Sequence, residues 1–240
     1  MNRRPKPLYK NLHNILFLYI IIFILLSQAC LAQNTAPVAN PDPTRYAKDI
    51  ENFKVWDMKN SFPEQALLFA GSSSSVMWMS HDAFPQYPVI NRGFGGSHIS
   101  DVLYYINDVI IKYKPAAIVF YCGDNDIAGK KSPVQVFNDY LSFVKTIRDN
   151  LGETPIIYIP IKPSVARWEM WQEMEKTNTL IKNYAEKTPN LYYVDTATPM
   201  LGQDGKPNPA LLLEDGLHLN AEGYKLWNSI LAPMLEKVIH

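Results

Sequence analysis

Short apolar runs alternate with longer amphipathic segments along most of this chain. The runs are rich in Ile, Val, Tyr and Phe, and they are too short for helices that bury a full face. This length and composition are typical of strands that are covered on both sides of a sheet. We predict strands at 66–70, 88–91, 116–122, 155–161 and 191–194.

The segments between these runs carry apolar residues at helical spacing, so each should pack one face on the sheet. Ser132 and Pro133 suit the N-cap and first turn of a helix that should end at Gly152. Pro233 predicts a kink or break in the last helix, which Asn220 can cap. The predicted helices span 45–59, 100–114, 133–152, 168–187 and the residues after 220.

This alternation places the protein in the α/β class. It predicts a three-layer α/β/α sandwich built on a five-stranded parallel sheet. Right-handed crossovers bring the C-terminal ends of all parallel strands to one edge, where active sites of such sheets gather. We therefore expect the functional residues in the segments that follow the strands.

The N-terminal segment does not fit the alternating pattern. Basic residues precede an almost wholly aliphatic or aromatic run at 15–26, and the small-x-small triplet Cys30-Leu31-Ala32 follows. This layout predicts a secretory signal peptide at 1–32 that is cleaved after Ala32, hence a secreted or periplasmic protein. Two alternatives remain, an uncleaved membrane anchor and a lipoprotein that is lipidated at Cys30.

The proline-rich stretch 33–44 is predicted to be a linker, and one domain is predicted at 45–240. The chain has 23 basic and 23 acidic residues, so its charge gives no reason to propose a nucleic acid or an anionic surface as partner. Cleavage after Ala32 would leave Cys122 as the sole cysteine, which excludes an intramolecular disulfide.

The first predicted strand ends at Gly71 and is followed by four consecutive serines, 72–75. A tight turn there should present one hydroxyl at the sheet edge. Serine is a weak nucleophile by itself. It needs a base, a group that orients the base, and donors that stabilise an oxyanion.

Asp215 and His218 can supply the base and its orienting carboxylate. At this spacing the carboxylate can hold the imidazole Nδ1–H and leave Nε2 free. An incidental capping Asp beside a surface His is the alternative. Among the other histidines, His98 is the rival, but it has no acidic partner at triad spacing in its own segment.

Two segments can supply oxyanion donors. Three glycines lie at 93, 95 and 96, after the second predicted strand, where they let the backbone turn closely around a bound group. Asn125 follows the third strand, and its amide can donate to an oxyanion. A loop that merely needs positive φ angles and a plain Asx turn are the alternatives. No His or Cys cluster has metal-ligand spacing, so no metal site is predicted.

Ser, Gly, Asn and Asp-x-x-His, in this order and each at a strand end, resemble the four blocks of the SGNH or GDSL-type hydrolase family. The resemblance covers essentially the whole predicted domain and implies a flavodoxin-like SGNH hydrolase fold. It assigns the nucleophile to Ser73, the remaining triad members to Asp215 and His218, and the oxyanion hole to Ser73, Gly96 and Asn125. Where the family has Gly-Asp-Ser, this chain has Gly71-Ser72-Ser73, which leaves Ser72 and Ser74 as lesser candidates for the nucleophile.

The resemblance implies a serine esterase that needs no cofactor, and the predicted signal peptide implies that the enzyme is secreted. Its expected substrates are acetyl or short acyl esters, on a carbohydrate or a lysophospholipid. Two alternatives belong to other classes: a non-catalytic, carbohydrate-binding relative, and a flavodoxin-like protein that binds a phosphate or cofactor at 71–75.

Overall fold

The computed structural model describes residues 36–239, and the predicted signal peptide lies outside this range. Five parallel strands form one sheet with the order β2-β1-β3-β4-β5, which confirms the predicted architecture. The strands are β1 (Leu67–Gly71), β2 (Val89–Asn91), β3 (Ala117–Tyr121), β4 (Ile156–Tyr158) and β5 (Leu191–Tyr193).

Helices cover both faces of the sheet, because successive side chains of a strand point to opposite sides. In β1, Leu68 and Ala70 pack in one apolar cluster, whereas Leu67 and Phe69 pack in the other. The helices are α1 (Ala47–Lys59), α2 (Ser73–Val76), α3 (Ser80–Ala83), α4 (Ile99–Tyr104), α5 (Ile106–Val109), α6 (Asp124–Ala128), α7 (Pro133–Leu151), α8 (Trp171–Ala185) and α9 (Ala221–Val238). Short 3-10 helices lie at Pro43–Tyr46, Ile111–Tyr113, Trp168–Met170, Thr198–Met200 and Pro209–Leu211.

The predicted helix at 100–114 is instead three short pieces, α4, α5 and the 3-10 turn Ile111–Tyr113. Ile110 leaves the helical region with φ −134° and ψ −59°, and it is fully buried. Val109, Ile110 and Ile111 are consecutive β-branched residues, which are stiff in a helix. The helix is interrupted at these residues, and the side chains of Val109 and Ile110 are nevertheless fully buried.

Helix α9 continues through Pro233 without the predicted break. Leu231 and Leu235, on either side of the proline, are fully buried in the same cluster as Trp227. This packing offsets the hydrogen bond that proline cannot donate.

The compact unit begins at Val38, earlier than the predicted domain boundary at residue 45. The Val38 N–H donates to Gln135 Oε1, and Gln135 Nε2 donates to the Val38 carbonyl, at 3.0 and 2.6 Å. Asp42 caps the 3-10 helix Pro43–Tyr46. The later part of the segment that we predicted as a linker, 33–44, is thus tied to the domain. No helix between residues 36 and 239 is long and apolar enough to cross a membrane.

Candidate active site

The turn after β1 exposes one serine and buries its neighbours. Gly71 has a φ of +124°, and a β-carbon at this position would lie 1.8 Å from the Tyr121 carbonyl oxygen, so only glycine fits. Ser72 then donates its N–H to that carbonyl, and Ser73 begins α2. Ser72 and Ser74 are fully buried, whereas Ser73 is partly exposed. The backbone therefore presents the hydroxyl of Ser73.

His218 lies beside this hydroxyl. Its Nε2 is 3.0 Å from Ser73 Oγ, and its Nδ1 is 2.6 Å from Asp215 Oδ2. With the ring proton on Nδ1, the imidazole donates to the carboxylate and can accept the serine proton at Nε2. The structure thus brings together the three residues that the sequence proposed as a triad.

Asp215 is held by its own loop as well as by His218. Its Oδ1 accepts the backbone N–H groups of Leu217 and His218, both at 2.9 Å. The hydrogen bond from the His218 side chain, followed by these two backbone bonds, holds the pKa of the Asp215 carboxyl well below its usual range. The carboxylate stays charged and can orient the imidazole.

Backbone pairing fixes the loop that carries Asp215 and His218. Leu212 and Leu219 form an antiparallel bridge, and the Leu213 N–H donates to the His218 carbonyl at 2.8 Å. The Asn220 side chain donates to the carbonyls of Ala210 and Leu212 and caps α9. The positions of the base and its carboxylate are therefore set by local hydrogen bonds.

The glycine loop after β2 lies against the serine. A β-carbon built on Gly95 would be 3.9 Å from the Ser73 β-carbon, and the exposed Gly96 has a φ of +77°. In the described part of the chain, the Gly96 N–H donates to no protein acceptor. Asn125, near the start of α6, donates from Nδ2 to the carbonyl of Ser97 at 3.2 Å. The two segments predicted to supply oxyanion donors are thus joined directly.

Two buried carboxylates support this loop from behind. Asp126 Oδ2 accepts a hydrogen bond from the Ile99 N–H at 3.1 Å, and Asp126 Oδ1 accepts one from Lys131 Nζ at 2.8 Å. Asp101 accepts the backbone N–H of His98 at 2.8 Å and pairs with Arg45. Charge-assisted bonds to buried carboxylates are strong, so they hold the backbone that follows Gly96 in place.

His98 has two acidic neighbours, contrary to the expectation from its own segment of the sequence. Asp101 binds its backbone, and Asp126 Oδ1 lies 3.6 Å from the ring Nδ1. The ring packs against Gly129. Burial, helped by the charge of Lys131, lowers the pKa of His98 to about 4. His98 is therefore a neutral, mostly buried side chain at neutral pH, whereas His218 contacts Ser73.

Sequence reasoning also missed Arg167, which follows β4. Its Nη1 donates to Asp124 Oδ2 at 2.8 Å, and its Nη2 donates to Asn125 Oδ1 at 3.0 Å. Lys162 in the same segment is buried, with Nζ 4.0 Å from Asp124, and burial lowers its pKa. No motif or spacing in the sequence connects these residues to Asn125.

The search for metal ligands covers only residues 36–239. There, no three His, Cys, Asp or Glu side chains are grouped so that they could hold a metal ion.

The sequence matches a model of the GDSL-like lipase/acylhydrolase family over residues 70–226. This range includes every residue described above as contacting Ser73, Asn125 or His218. No curated protein sequence matches the chain at a significant level.

Solved structures with this fold include several esterases. A GDSL-like lipase from Bacteroides thetaiotaomicron is 23% identical, with a TM-score of 0.68 over 79% of this chain and 98% of its own. A variant of an acetyl-xylooligosaccharide esterase from Geobacillus is 18% identical, with a TM-score of 0.58 over 75% of this chain and 97% of its own. A carbohydrate esterase of family 3 from Talaromyces cellulolyticus is 15% identical, with a TM-score of 0.60 over 74% and 98%. At these identities the likeness shows the shared fold.

Proposed function

This chain belongs to the GDSL-like lipase/acylhydrolase family and is a carboxylic ester hydrolase, and we propose that Ser73, His218 and Asp215 are its catalytic triad. The observation that carries the proposal is the continuous hydrogen-bonded path from Ser73 Oγ through the imidazole to Asp215 Oδ2. The substrates that we propose are acetyl or short acyl esters of a carbohydrate.

In the first half of the reaction, Ser73 Oγ attacks the ester carbonyl while His218 Nε2 takes the hydroxyl proton. Asp215 stabilises the imidazolium that results. As the tetrahedral intermediate collapses, His218 gives the proton to the departing alcohol oxygen, and an acyl-serine remains. In the second half, His218 activates a water molecule that hydrolyses the acyl-serine and restores the free hydroxyl.

Three donors are proposed to stabilise the negative oxygen of each intermediate: the backbone N–H groups of Ser73 and Gly96 and the side-chain amide of Asn125. Ser73 is the first residue of α2, so its N–H has no acceptor within that helix. Donors that are positioned before the reaction each lower the barrier by roughly 3 kcal/mol in enzymes where single donors were removed.

The openness of the site supports a hydrophilic, bulky alcohol portion. The side chains of His218 and Asp215 are 24% and 47% exposed, so an oligosaccharide can approach without entering a closed tunnel. Two structures that share the fold are named for acetyl-xylooligosaccharide or carbohydrate esters. A lysophospholipid is the second substrate class, because exposed apolar side chains such as Val165 and Leu213 flank the loop of His218.

Secretion stays part of the proposal and depends on the sequence at 1–32. An extracellular or periplasmic enzyme would meet acylated polysaccharides directly. N-terminal sequencing of the exported protein would distinguish cleavage after Ala32 from retention of the leader or lipidation at Cys30.

The proposal is tested by assaying the wild-type protein and Ser73→Ala on a matched set of esters. The set holds p-nitrophenyl acetate, butyrate and octanoate, acetylated xylooligosaccharides and a lysophosphatidylcholine. We expect kcat/KM to be highest for acetyl esters and the Ser73→Ala variant to be inactive on all of them. Ser142→Ala, an exposed serine of α7, is the control that should retain full activity.

Other outcomes would favour the alternatives. A well-folded wild-type protein that hydrolyses none of these esters but binds the oligosaccharide would be a non-catalytic binding relative. A protein that purifies with a bound flavin or nucleotide would instead use the turn at 71–75 to hold a phosphate. Full activity in Ser73→Ala would remove the triad.

A further inference from the structure

Arg167 lies where two parts of the candidate site meet. The Ala166 N–H, next to it, donates to the carbonyl of Gly216 at 3.0 Å, and Gly216 packs against Val165. The backbone that carries Arg167 is therefore attached to the loop of Asp215 and His218. Its side chain is 19% exposed, and its guanidinium points instead at Asp124 and Asn125.

The two contacts of the guanidinium fork differ in kind. Nη1 pairs with the Asp124 carboxylate, which is 4% exposed, and this ion pair holds the plane of the guanidinium. Nη2 donates to the neutral Oδ1 of Asn125. Because the guanidinium is rigid and planar, fixing one arm on Asp124 also fixes the direction of the other.

The hydrogen-bonding character of its two neighbours determines how the Asn125 amide is oriented. A guanidinium can only donate and a backbone carbonyl can only accept, so the amide oxygen must face Arg167 and the nitrogen must face the Ser97 carbonyl. Within residues 36–239, Nδ2 has no second protein acceptor, so one of its two N–H groups is free for a ligand. The charged donor on Oδ1 also polarises the amide, which strengthens the free N–H as a donor.

We propose that Arg167 is a positioning residue of the oxyanion hole: it locks the Asn125 amide so that its free N–H faces the oxygen of the intermediate. The inference rests on the proposed ester hydrolysis. Without the arginine, the amide could rotate and present its oxygen to that negative oxygen. The attack by Ser73 would then lose one donor and gain a repulsive contact.

The test compares wild type, Arg167→Met, Asn125→Ala and the double variant by steady-state kinetics on p-nitrophenyl acetate. Asn125→Ala should lower kcat about 10²-fold to 10³-fold. Arg167→Met should lower kcat about 10-fold to 100-fold, with KM changed by less than about threefold, because the lost interaction acts in the transition state. The double variant should be no slower than Asn125→Ala, since Arg167 acts through Asn125.

Arg148→Met is the matched control. Arg148 also donates from its guanidinium to acceptors in a neighbouring loop, the carbonyls of Gly152 and Thr154, but it lies in the last turn of α7 and contacts no residue of the site. Its kcat should stay at the wild-type value. In Arg167→Ala, whose short side chain leaves room for the ion, guanidinium chloride at millimolar concentration should restore part of the lost kcat, whereas it should restore none in Asn125→Ala.

If Arg167→Met does not fold, Arg167→Lys tests the positioning role of Arg167 instead. An ammonium keeps the charge beside Asp124 but lacks the rigid, planar fork that fixes the direction of the bond to Asn125, so kcat should fall about 10-fold while circular dichroism and the melting temperature stay near wild type. Wild-type kcat in Arg167→Lys would overturn the proposal.

The proposal is also overturned if Arg167→Met slows the Asn125→Ala enzyme by the same factor as it slows the wild type, because the two residues would then act independently. Ser73→Ala separates this failure from failure of the proposed function. If Ser73→Ala is inactive and Arg167 proves independent of Asn125, only the role of Arg167 is wrong. If Ser73→Ala is active, the proposed mechanism itself is wrong.

Discussion

At the scale of single residues, burial distinguishes serines that the sequence leaves equivalent. Ser72, Ser73 and Ser74 are chemically identical neighbours, and only the middle one is both partly exposed and within hydrogen-bonding distance of an imidazole. The missing Asp of the family's Gly-Asp-Ser block does not affect this arrangement, because the carboxylate that contacts His218 comes from Asp215.

Replacement of Asp215 by Asn tests the orienting role of the carboxylate. An amide can donate to His218 Nδ1, which favours the tautomer with its proton on Nε2, and that tautomer cannot accept the Ser73 proton. We expect kcat to fall about 10²-fold to 10⁴-fold with little change in KM. Steady-state kinetics on p-nitrophenyl acetate measures both constants.

Asp204→Asn is the control for this variant. Asp204 accepts the N–H of Lys206, the same turn contact that Asp215 makes with Leu217, and it has no histidine partner. Its kcat should match wild type. An Asp215→Asn enzyme that is as fast as Asp204→Asn would mean that the carboxylate does not act through His218.

At the scale of elements, the sheet positions the site because the serine turn, the glycine loop and the turn before Asn125 directly follow strands β1, β2 and β3. The Phe94 N–H donates to the Gly71 carbonyl and the Ser72 N–H to the Tyr121 carbonyl, both at 2.9 Å. These bonds extend the pairing of β1 with β2 and β3 beyond the strands themselves. The serine turn, the glycine loop and the turn before Asn125 are therefore held side by side by backbone alone.

Helix α7 offers a test of how local sequence sets an element. Ser132 Oγ accepts the N–H of Gln135 at 3.2 Å and caps the helix. Ser132→Ala should lower the free energy of unfolding by about 1 kcal/mol, whereas kcat should not change because the cap lies outside the site. Urea denaturation followed by circular dichroism gives the value.

Ser142→Ala in the same helix provides the comparison. Its hydroxyl donates to the Asn138 carbonyl, one turn earlier in the helix. Its removal should therefore change the free energy of unfolding by less than about 0.5 kcal/mol. Equal effects of the two substitutions would show that the cap contributes nothing.

The strands and the four long helices α1, α7, α8 and α9 could be predicted because their signals are local. Buried parallel strands are continuous apolar runs, and α7 has a serine cap, an N-terminal proline and a terminal glycine. The break at Ile110 could not be predicted, since the apolar spacing of 100–114 fits one helix as well as three short turns. Helix α9 continues past Pro233 because it packs against the sheet. The spacing of apolar residues along the sequence does not show this packing.

At the scale of the whole molecule, the candidate site is built from residues between 73 and 218. The residues that could be predicted from the sequence are those that lie in recognisable motifs. Ser73, Gly96, Asn125, Asp215 and His218 each lie in a short pattern. Arg167 lies in no such pattern, and its partners Asp124 and Asn125 are 43 and 42 positions away in the sequence. Contacts of this kind become visible only when the fold brings separate segments together.

The buried cluster behind the glycine loop predicts how the stability of the domain depends on pH. The pKa of His98 is about 4 in the folded protein, below the ordinary histidine value of 6.5. Between these values the unfolded chain binds a proton that the folded chain does not, so His98 lowers stability as the pH falls below 6.5. Its cost at pH 5 is on the order of 1–2 kcal/mol.

His98→Gln removes this titration and should therefore lose less stability than wild type between pH 7.5 and pH 5. Asp101 and Asp124 raise the pKa of His98, and Lys131 and Arg45 lower it. Asp126, whose pKa burial raises to about 6, remains in both proteins and acts in the opposite direction, because a carboxyl with a raised pKa adds stability as the pH falls. Urea denaturation at the two pH values measures the difference, and identical losses in the two proteins would refute the assignment of a lowered pKa to His98.

The central claim is that Ser73 is the nucleophile, and the most direct measurement is to locate the covalent adduct that a fluorophosphonate leaves on the protein. Wild type, His218→Ala and Ser73→Ala are treated, digested and analysed by peptide mass spectrometry. We predict a single adduct on Ser73 in wild type, a much slower reaction at the same residue in His218→Ala, and no adduct in Ser73→Ala. An adduct on Ser72, Ser74 or any other residue, or undiminished labelling of Ser73→Ala, would contradict the account.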